Sequence, residues 1–141
     1  MWIFYKPINF LIKTTKILNM TTKEVANKWA EHCRTGRWDL AHQELYADNC
    51  VSLEMEGANM PNQRVEGMEA IAQKGKQWNE MVEEFHGAEI DGPIVAGNHF
   101  SATMKMDITM KGQPRKIDEE VCIFRVENGK IVSEQFFYPI G

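Results

Sequence analysis

Ile117-Asp-Glu-Glu-Val-Cys-Ile-Phe-Arg-Val126 and Lys130-Ile-Val-Ser-Glu-Gln-Phe-Phe-Tyr138 flank Asn128-Gly129. Two runs rich in β-branched and aromatic residues around Asn-Gly form the strongest short-range hairpin signal. Both turn residues tolerate the positive φ that a type I′ turn needs at its centre. A two-residue turn sets the register: Val126 opposes Ile131, Phe124 opposes Ser133, Cys122 opposes Gln135 and Glu120 opposes Phe137. These residues share one face, and Arg125, Ile123, Val121, Val132, Glu134, Phe136 and Tyr138 share the other. Neither face is wholly polar. A sheet apolar on both sides has to be covered on both, so helices are expected on one face and another subunit on the other.

Composition bounds the remainder. A chain of 141 residues is one domain with room for a substantial core. Its hydrophobic share of 43% and charged share of 26% exclude a disordered or membrane-spanning class. Cys33, Cys50 and Cys122 have no close-pair spacing and leave one over, which predicts reduced thiols in a cytoplasmic protein. A net charge of −4 argues against nucleic acid as a partner.

Residues 1–19 differ from everything after them, with three lysines and no acid; without them, 13 basic and 20 acidic residues give −7. Lys13 interrupts the apolar run and no small-residue cleavage site follows, against a signal peptide. A basic membrane-surface segment is one alternative. The expected division is a leader over 1–19, disordered or foreign to the fold, and a domain over 20–141.

Thr21-x-x-Glu24 has capping-box form, and Val25, Trp29 and Cys33 follow at helical spacing up to Gly36. A second short helix is expected from Asp39 as N-cap, with Trp38 as a staple. Cys50–Glu56 alternates as a strand, and residues 57–65 read as a loop. Ile71, Gly75, Trp78, Val82 and Phe85 predict a third helix with one buried stripe. Lys74 sits beside that stripe, either reaching out to solvent or lowered into a cavity. Beyond Phe85 the period becomes two. Ala88–Ala96 is a strand broken at Asp91-Gly92-Pro93, and Phe100–Met110 alternates with polar residues. Asp107 falls on the outer face by parity, unless a bulge turns it inward. Three N-terminal helices covering a curved antiparallel sheet make an α+β fold.

The matching stretches are the Trp29–Gly36 helix end, Tyr46-Ala-Asp-Asn-Cys-Val-Ser-Leu-Glu54 running to Gly57, Gly67-Met-Glu-Ala-Ile71 with Lys74, Gly92-Pro-Ile-Val-Ala-Gly97, and Asn128-Gly-Lys-Ile131 running to Tyr138. Over about residues 21–138 they resemble the nuclear-transport-factor-two-like superfamily, the cone-shaped fold, or cystatin-like roll, of SnoaL-type polyketide cyclases and ketosteroid isomerases. In ketosteroid isomerases a carboxylate base follows the Tyr/Phe-Ala-Asp motif at the distance of Glu54. The resemblance therefore implies Glu54 as a base next to a carbonyl, unless it is simply held by Lys74. Those enzymes hold the enolate with a tyrosine and a protonated acid. Trp29 and Cys122 stand at those positions here. A thiol is a weak donor, and losing an oxyanion donor costs about 2.7–4 kcal/mol, so ketosteroid isomerase chemistry itself is disfavoured.

If the Cys122/Phe124 face is concave, as the resemblance implies, Glu54 and Glu120 are the catalytic candidates. Trp29, Lys74, Trp78, Phe100, Met104, Met106, Cys122, Phe124, Gln135 and Phe137 are the ligand-contacting ones. A carboxyl among such walls has its pKa raised into the acid/base range. Two readings follow. One is a cofactor-independent isomerase, cyclase or dehydratase that moves a proton on a small apolar carbonyl compound. The other is a non-catalytic pocket for a small apolar acid or lipid-like metabolite, with Lys74 as counter-charge. A purely structural dimer is a third. The four histidines share no ligand spacing, so neither metal nor cofactor is expected. Ile123, Val121, Val132, Phe136 and Tyr138 form an outer patch that predicts a homodimer.

Overall fold

The computed structural model describes residues 19–141. The expected leader over 1–19 thus lies, except for Asn19, outside the described residues. Among the described residues three helices, α1 (Thr22–Arg34), α2 (Trp38–Leu45) and α3 (Met68–Met81), accompany six strands. The strands are β1 (Tyr46–Leu53), β2 (Arg64–Glu66), β3 (Val82–Ala96), β4 (His99–Met110), β5 (Lys116–Glu127) and β6 (Lys130–Phe137). They form one sheet in the order β2-β1-β6-β5-β4-β3. The sheet is curved and unclosed, and the fold is an α+β cone. β3 to β6 run as the expected antiparallel meander, whereas β1 joins β6 in parallel, so the sheet is mixed.

Thr21 caps α1 through both halves of a capping box, its hydroxyl accepting from the Glu24 N–H while the Glu24 carboxylate accepts from the Thr21 N–H. The helix turns Val25, Ala26, Trp29, Ala30 and Cys33 inward. Trp29 packs with its ring centre 4.5 Å from that of Phe124, which in turn stacks on Phe100 at 4.5 Å and 15°. This trio lies deep in the core, with Phe124 and Phe100 almost fully buried. At the far end of α1 the Arg34 guanidinium donates to the Ile90 and Gly92 carbonyls and ties the helix to β3.

Helix α2 begins at Trp38 with Arg37 at the N-cap, two residues before the expected cap, and Asp39 lies in its first turn. The end of the loop read over 57–65 is instead extended: Arg64–Glu66 pairs with β1 as β2. Helix α3 stops at Met81, and Val82 and Phe85 belong to β3 instead of the helical stripe. Only Ile71 of that stripe is fully buried; Trp78 is half-buried. A β-branched Val82 and the period-two run beyond it favour extension once the helix has no further core to cover. β3 also runs through Asp91-Gly92-Pro93, absorbing the interruption as a register shift between Asp91 and Ile94.

The hairpin contains the most consequential correction. Asn128 and Gly129 have φ of 51° and 74°, as the two-residue turn requires, and Val126 faces Ile131. Arg125 then pairs with Ser133, leaving Val132 as the extra residue of a bulge. Every later partner moves by one: Phe124 faces Glu134, Cys122 faces Phe136, Ile123 faces Gln135 and Val121 faces Phe137. A one-residue slip reverses the faces. Glu134 and Phe136 turn to the inner side with Phe124 and Cys122, and Gln135 and Phe137 turn to the outer side with Ile123 and Val121. The β4–β5 ladder runs without a shift from His99 to Ile108. Asp107 therefore keeps its parity with Lys105 and Thr109, and Arg115 grips it at 2.7 and 2.9 Å.

Candidate functional site

The concave face and helices α2 and α3 enclose an open cleft of about 1760 Å³. β1 buries Cys50 and Ser52 beneath the cleft, and Glu54, just past its end, lines it. β6 contributes Glu134 and Phe136, with Tyr138 directly after it, all placed inward by the bulge at Val132. Lys74 descends from α3, one turn before Trp78. Its side chain is 15% exposed, so the buried reading of this lysine is the one the fold realises.

These elements meet in a continuous polar chain. The Lys74 ammonium lies 2.5 Å from Glu54 Oε1, and the Tyr138 hydroxyl donates to Glu54 Oε2 at 2.8 Å. Lys74 also donates to Ser52 Oγ at 3.0 Å. The Ser52 hydroxyl donates to Glu134 Oε1 at 2.8 Å, and the Tyr46 hydroxyl donates to Glu134 Oε2 at 2.5 Å. Glu134 is 4% exposed and Ser52 fully buried, so these bonds satisfy groups that would otherwise be costly to desolvate. Burial and the Glu134 charge raise the Tyr46 phenol well above its usual value. Tyr138 moves the same way through burial and its bond to Glu54. Both hydroxyls therefore keep their protons and act as donors. His42 sets its ring edge-on against Tyr46 at 4.6 Å, and burial lowers its pKa.

Glu120 stands apart from this chain. It lies on β5 opposite Met104, and among the described residues its one hydrogen-bond partner is the Cys122 thiol, 3.6 Å away. Burial is the main cause that raises its pKa to about 7, and the charges of Glu54, Glu134 and Asp118 push in the same direction. The thiol bond opposes burial and is the second-largest cause, but it does not cancel it. The Cys122 thiol is itself pushed up by burial and by Glu120, so it remains a neutral donor.

Of the residues singled out in the sequence, Glu54, Glu120, Trp29, Lys74, Trp78, Met104 and Met106 line the cleft. Phe100, Cys122 and Phe124 lie beneath it in the core. Gln135 and Phe137 do not reach it, because the bulge carries them to the other face. The sequence reading missed Glu134, Ser52, Tyr46, Phe136 and Tyr138. A signal was present: Phe136 and Tyr138 made the supposed outer face too apolar, and a one-residue bulge would have returned both inside together with Glu134.

A SnoaL-like domain model matches residues 20–138. A candidate SnoaL-like polyketide cyclase from Mesorhizobium loti is 35% identical, with a TM-score of 0.78 over 84% of this chain and 100% of that one. A Xanthomonas campestris protein of unknown function with a cystatin-like fold superposes at a TM-score of 0.72, with 17% identity over 86% of this chain and 92% of that one. A Catenulispora acidiphila protein with a ketosteroid isomerase-like fold, solved with trimethylamine, gives a TM-score of 0.66 and 21% identity over 85% and 88%. The last two share the fold alone. No curated protein matches the sequence. Among the described residues no helix is long and apolar enough to cross a membrane. With the model match spanning nearly the whole described chain, and the inward carboxyls and curved sheet in place, the protein belongs to the SnoaL-like domain family.

Proposed function

We propose that the cleft binds a small, largely apolar carbonyl compound and that Glu120 moves a proton on the carbon next to that carbonyl. The supporting observation is a carboxyl buried in the cleft wall whose one hydrogen-bond partner among the described residues is a thiol. Such a group is poised to give or take a proton near neutral pH. Glu54, the base implied by ketosteroid isomerases, has one oxygen on Lys74 and the other on Tyr138. Its role in this reading is to hold the Lys74 ammonium at the substrate oxygen, with Tyr138 fixing the carboxylate from its other side. The Glu120 carboxylate takes the proton as the C–H bond breaks, the enolate oxygen accepts from Lys74, and the proton returns from Glu120 to carbon. No cofactor enters these steps.

Deuterium exchange into the methyl group of 2-acetonaphthone tests this reading. Exchange is expected in the native protein, rising with pH through about 7 as Glu120 ionises. Glu120→Gln is expected to lower the rate by about 10²–10⁴-fold. Equal exchange in both proteins would remove Glu120 from the chemistry. The saturation of both Glu54 oxygens favours a second reading, a non-catalytic binding dimer. In that case the ketone binds both proteins and exchanges in neither.

The dimer uses the outer sheet face in either reading. Val121 and Ile123 are 41% and 39% exposed and share that face with Phe137, while Phe136 and Tyr138, first assigned there, do not. Sedimentation at micromolar concentration is expected to give a dimer, and Ile123→Lys to give a monomer. A monomeric native protein would leave this face without a role in self-association.

A further inference from the structure

Lys74 is the one cation in the polar chain at the cleft floor, and its charge is already spent. Glu54 Oε1 lies 2.5 Å away, and Ser52 relays a second carboxylate, Glu134, to the same ammonium. The direction of each bond is fixed by the donors. Glu134 accepts on both oxygens, from Tyr46 and Ser52, so the single Ser52 proton is committed to Glu134 and the serine oxygen is left to accept from Lys74. Of three ammonium N–H groups, two are therefore taken. The third has no acceptor among the described residues, and the ammonium lies 5.5 Å over the Phe136 ring at the cleft surface.

We infer that this third N–H is a docking point for a neutral carbonyl oxygen, and that the carboxylates around it make the cleft reject carboxylic acids. Glu54, Glu134 and Glu120 surround Lys74, and across the lining eight carboxyl side chains (Asp39, Asp48, Glu54, Glu80, Asp118, Glu119, Glu120 and Glu134) outnumber Lys74, Lys76 and Lys116, so an incoming carboxylate meets net repulsion and finds the floor ammonium already paired. A ketone, ester or quinone oxygen needs only the directed donor. Of the two ligand classes the sequence left open, the apolar acid is thereby disfavoured and the carbonyl compound favoured. Ser52 and Glu134 are positioning residues: they touch no ligand but aim the ammonium. This inference rests on the carbonyl-binding reading above, without needing Glu120 to be catalytic.

The test compares two probes of one shape, 2-acetonaphthone and 2-naphthoate, titrated into the full chain at pH 8 and followed by calorimetry. The native protein is expected to bind the ketone at least about tenfold more tightly than the acid. Glu54→Gln, which uncovers the Lys74 charge, is expected to reverse that order. Ser52→Ala is expected to weaken ketone binding, whereas Tyr46→Phe, which takes a hydroxyl from Glu134 but leaves the Ser52–Lys74 bond, is expected to retain it. A merely structural role for the chain would make Ser52→Ala and Tyr46→Phe alike. Tighter binding of 2-naphthoate by the native protein, or binding of neither probe, would overturn the inference. Loss of exchange chemistry with the ketone preference intact would overturn only the catalytic role of Glu120.

Discussion

Phe124→Ala is expected to remove about 3–5 kcal/mol of stability, the loss found when a fully buried phenylalanine is truncated. Phe124 has no exposed surface, and it packs on both the Trp29 indole and the Phe100 ring, which also meet each other at 5.9 Å. Truncation forfeits burial of the ring and leaves a cavity against two large, rigid side chains that collapse into it only in part. The aromatic contacts add about 0.5–1.5 kcal/mol beyond area. Against a total of about 5–15 kcal/mol for a domain, the loss places the variant close to unfolding. Urea denaturation checks the expectation: the midpoint should fall sharply with the slope unchanged. Phe124→Leu, which refills most of the volume, should recover much of it. An alanine variant within about 1 kcal/mol of the native protein would show that α1 is not seated on this trio as described. The consequence reaches the site, because Trp29 both packs on Phe124 and walls the cleft.

The hairpin shows how far sequence alone reaches. Asn128-Gly129 located the turn, and alternation on either side located both strands, because these are local properties of the chain. The bulge at Val132 is set by what lies across it. β6 pairs with β5 on one side and with β1 in parallel on the other, and the β1–β6 register also shifts, between Tyr46 and Val51. Within residues 117–138 the apolar excess of Phe136 and Tyr138 hints at a slip, but the strand that imposes it lies elsewhere in the chain, so local alternation alone reverses the faces after Val132 and puts Glu134 on the outer side. Glu54 and Lys74 were brought together by resemblance and by helical spacing, both of which survive a slip elsewhere in the sheet. Glu120 was legible for a similar reason. It lies on β5, whose parity is fixed by the turn before any bulge intervenes.

Glu120 carries the second large expectation, a stability that falls as pH rises. The unfolded chain holds this carboxyl at about its ordinary 4.5, while the folded protein holds it at about 7. Between those values the native state binds more protons than the unfolded state, so unfolding free energy decreases with increasing pH. The stabilising difference is fully present below pH 4.5 and gone once pH passes 7. At 1.36 kcal/mol per tenfold in proton affinity, that interval is worth up to about 3 kcal/mol. Glu120→Gln replaces the titrating acid with a neutral isostere. It is expected to match the native protein near pH 4.5 and to exceed its stability by up to about 3 kcal/mol at pH 8. His42, whose pKa burial lowers, gives a slope of opposite sign, so the difference between native and variant curves isolates Glu120. Glu119→Gln is the control, since Glu119 is exposed to solvent and pairs with Lys105 at 3.6 Å. Urea titrations across pH 4.5–8 would decide the matter: parallel native and Glu120→Gln curves would mean that the acid is solvated and carries no stored cost. A variant that gains stability while losing exchange activity is the signature of a group kept buried for its chemistry, since its burial costs the fold and serves only the cleft.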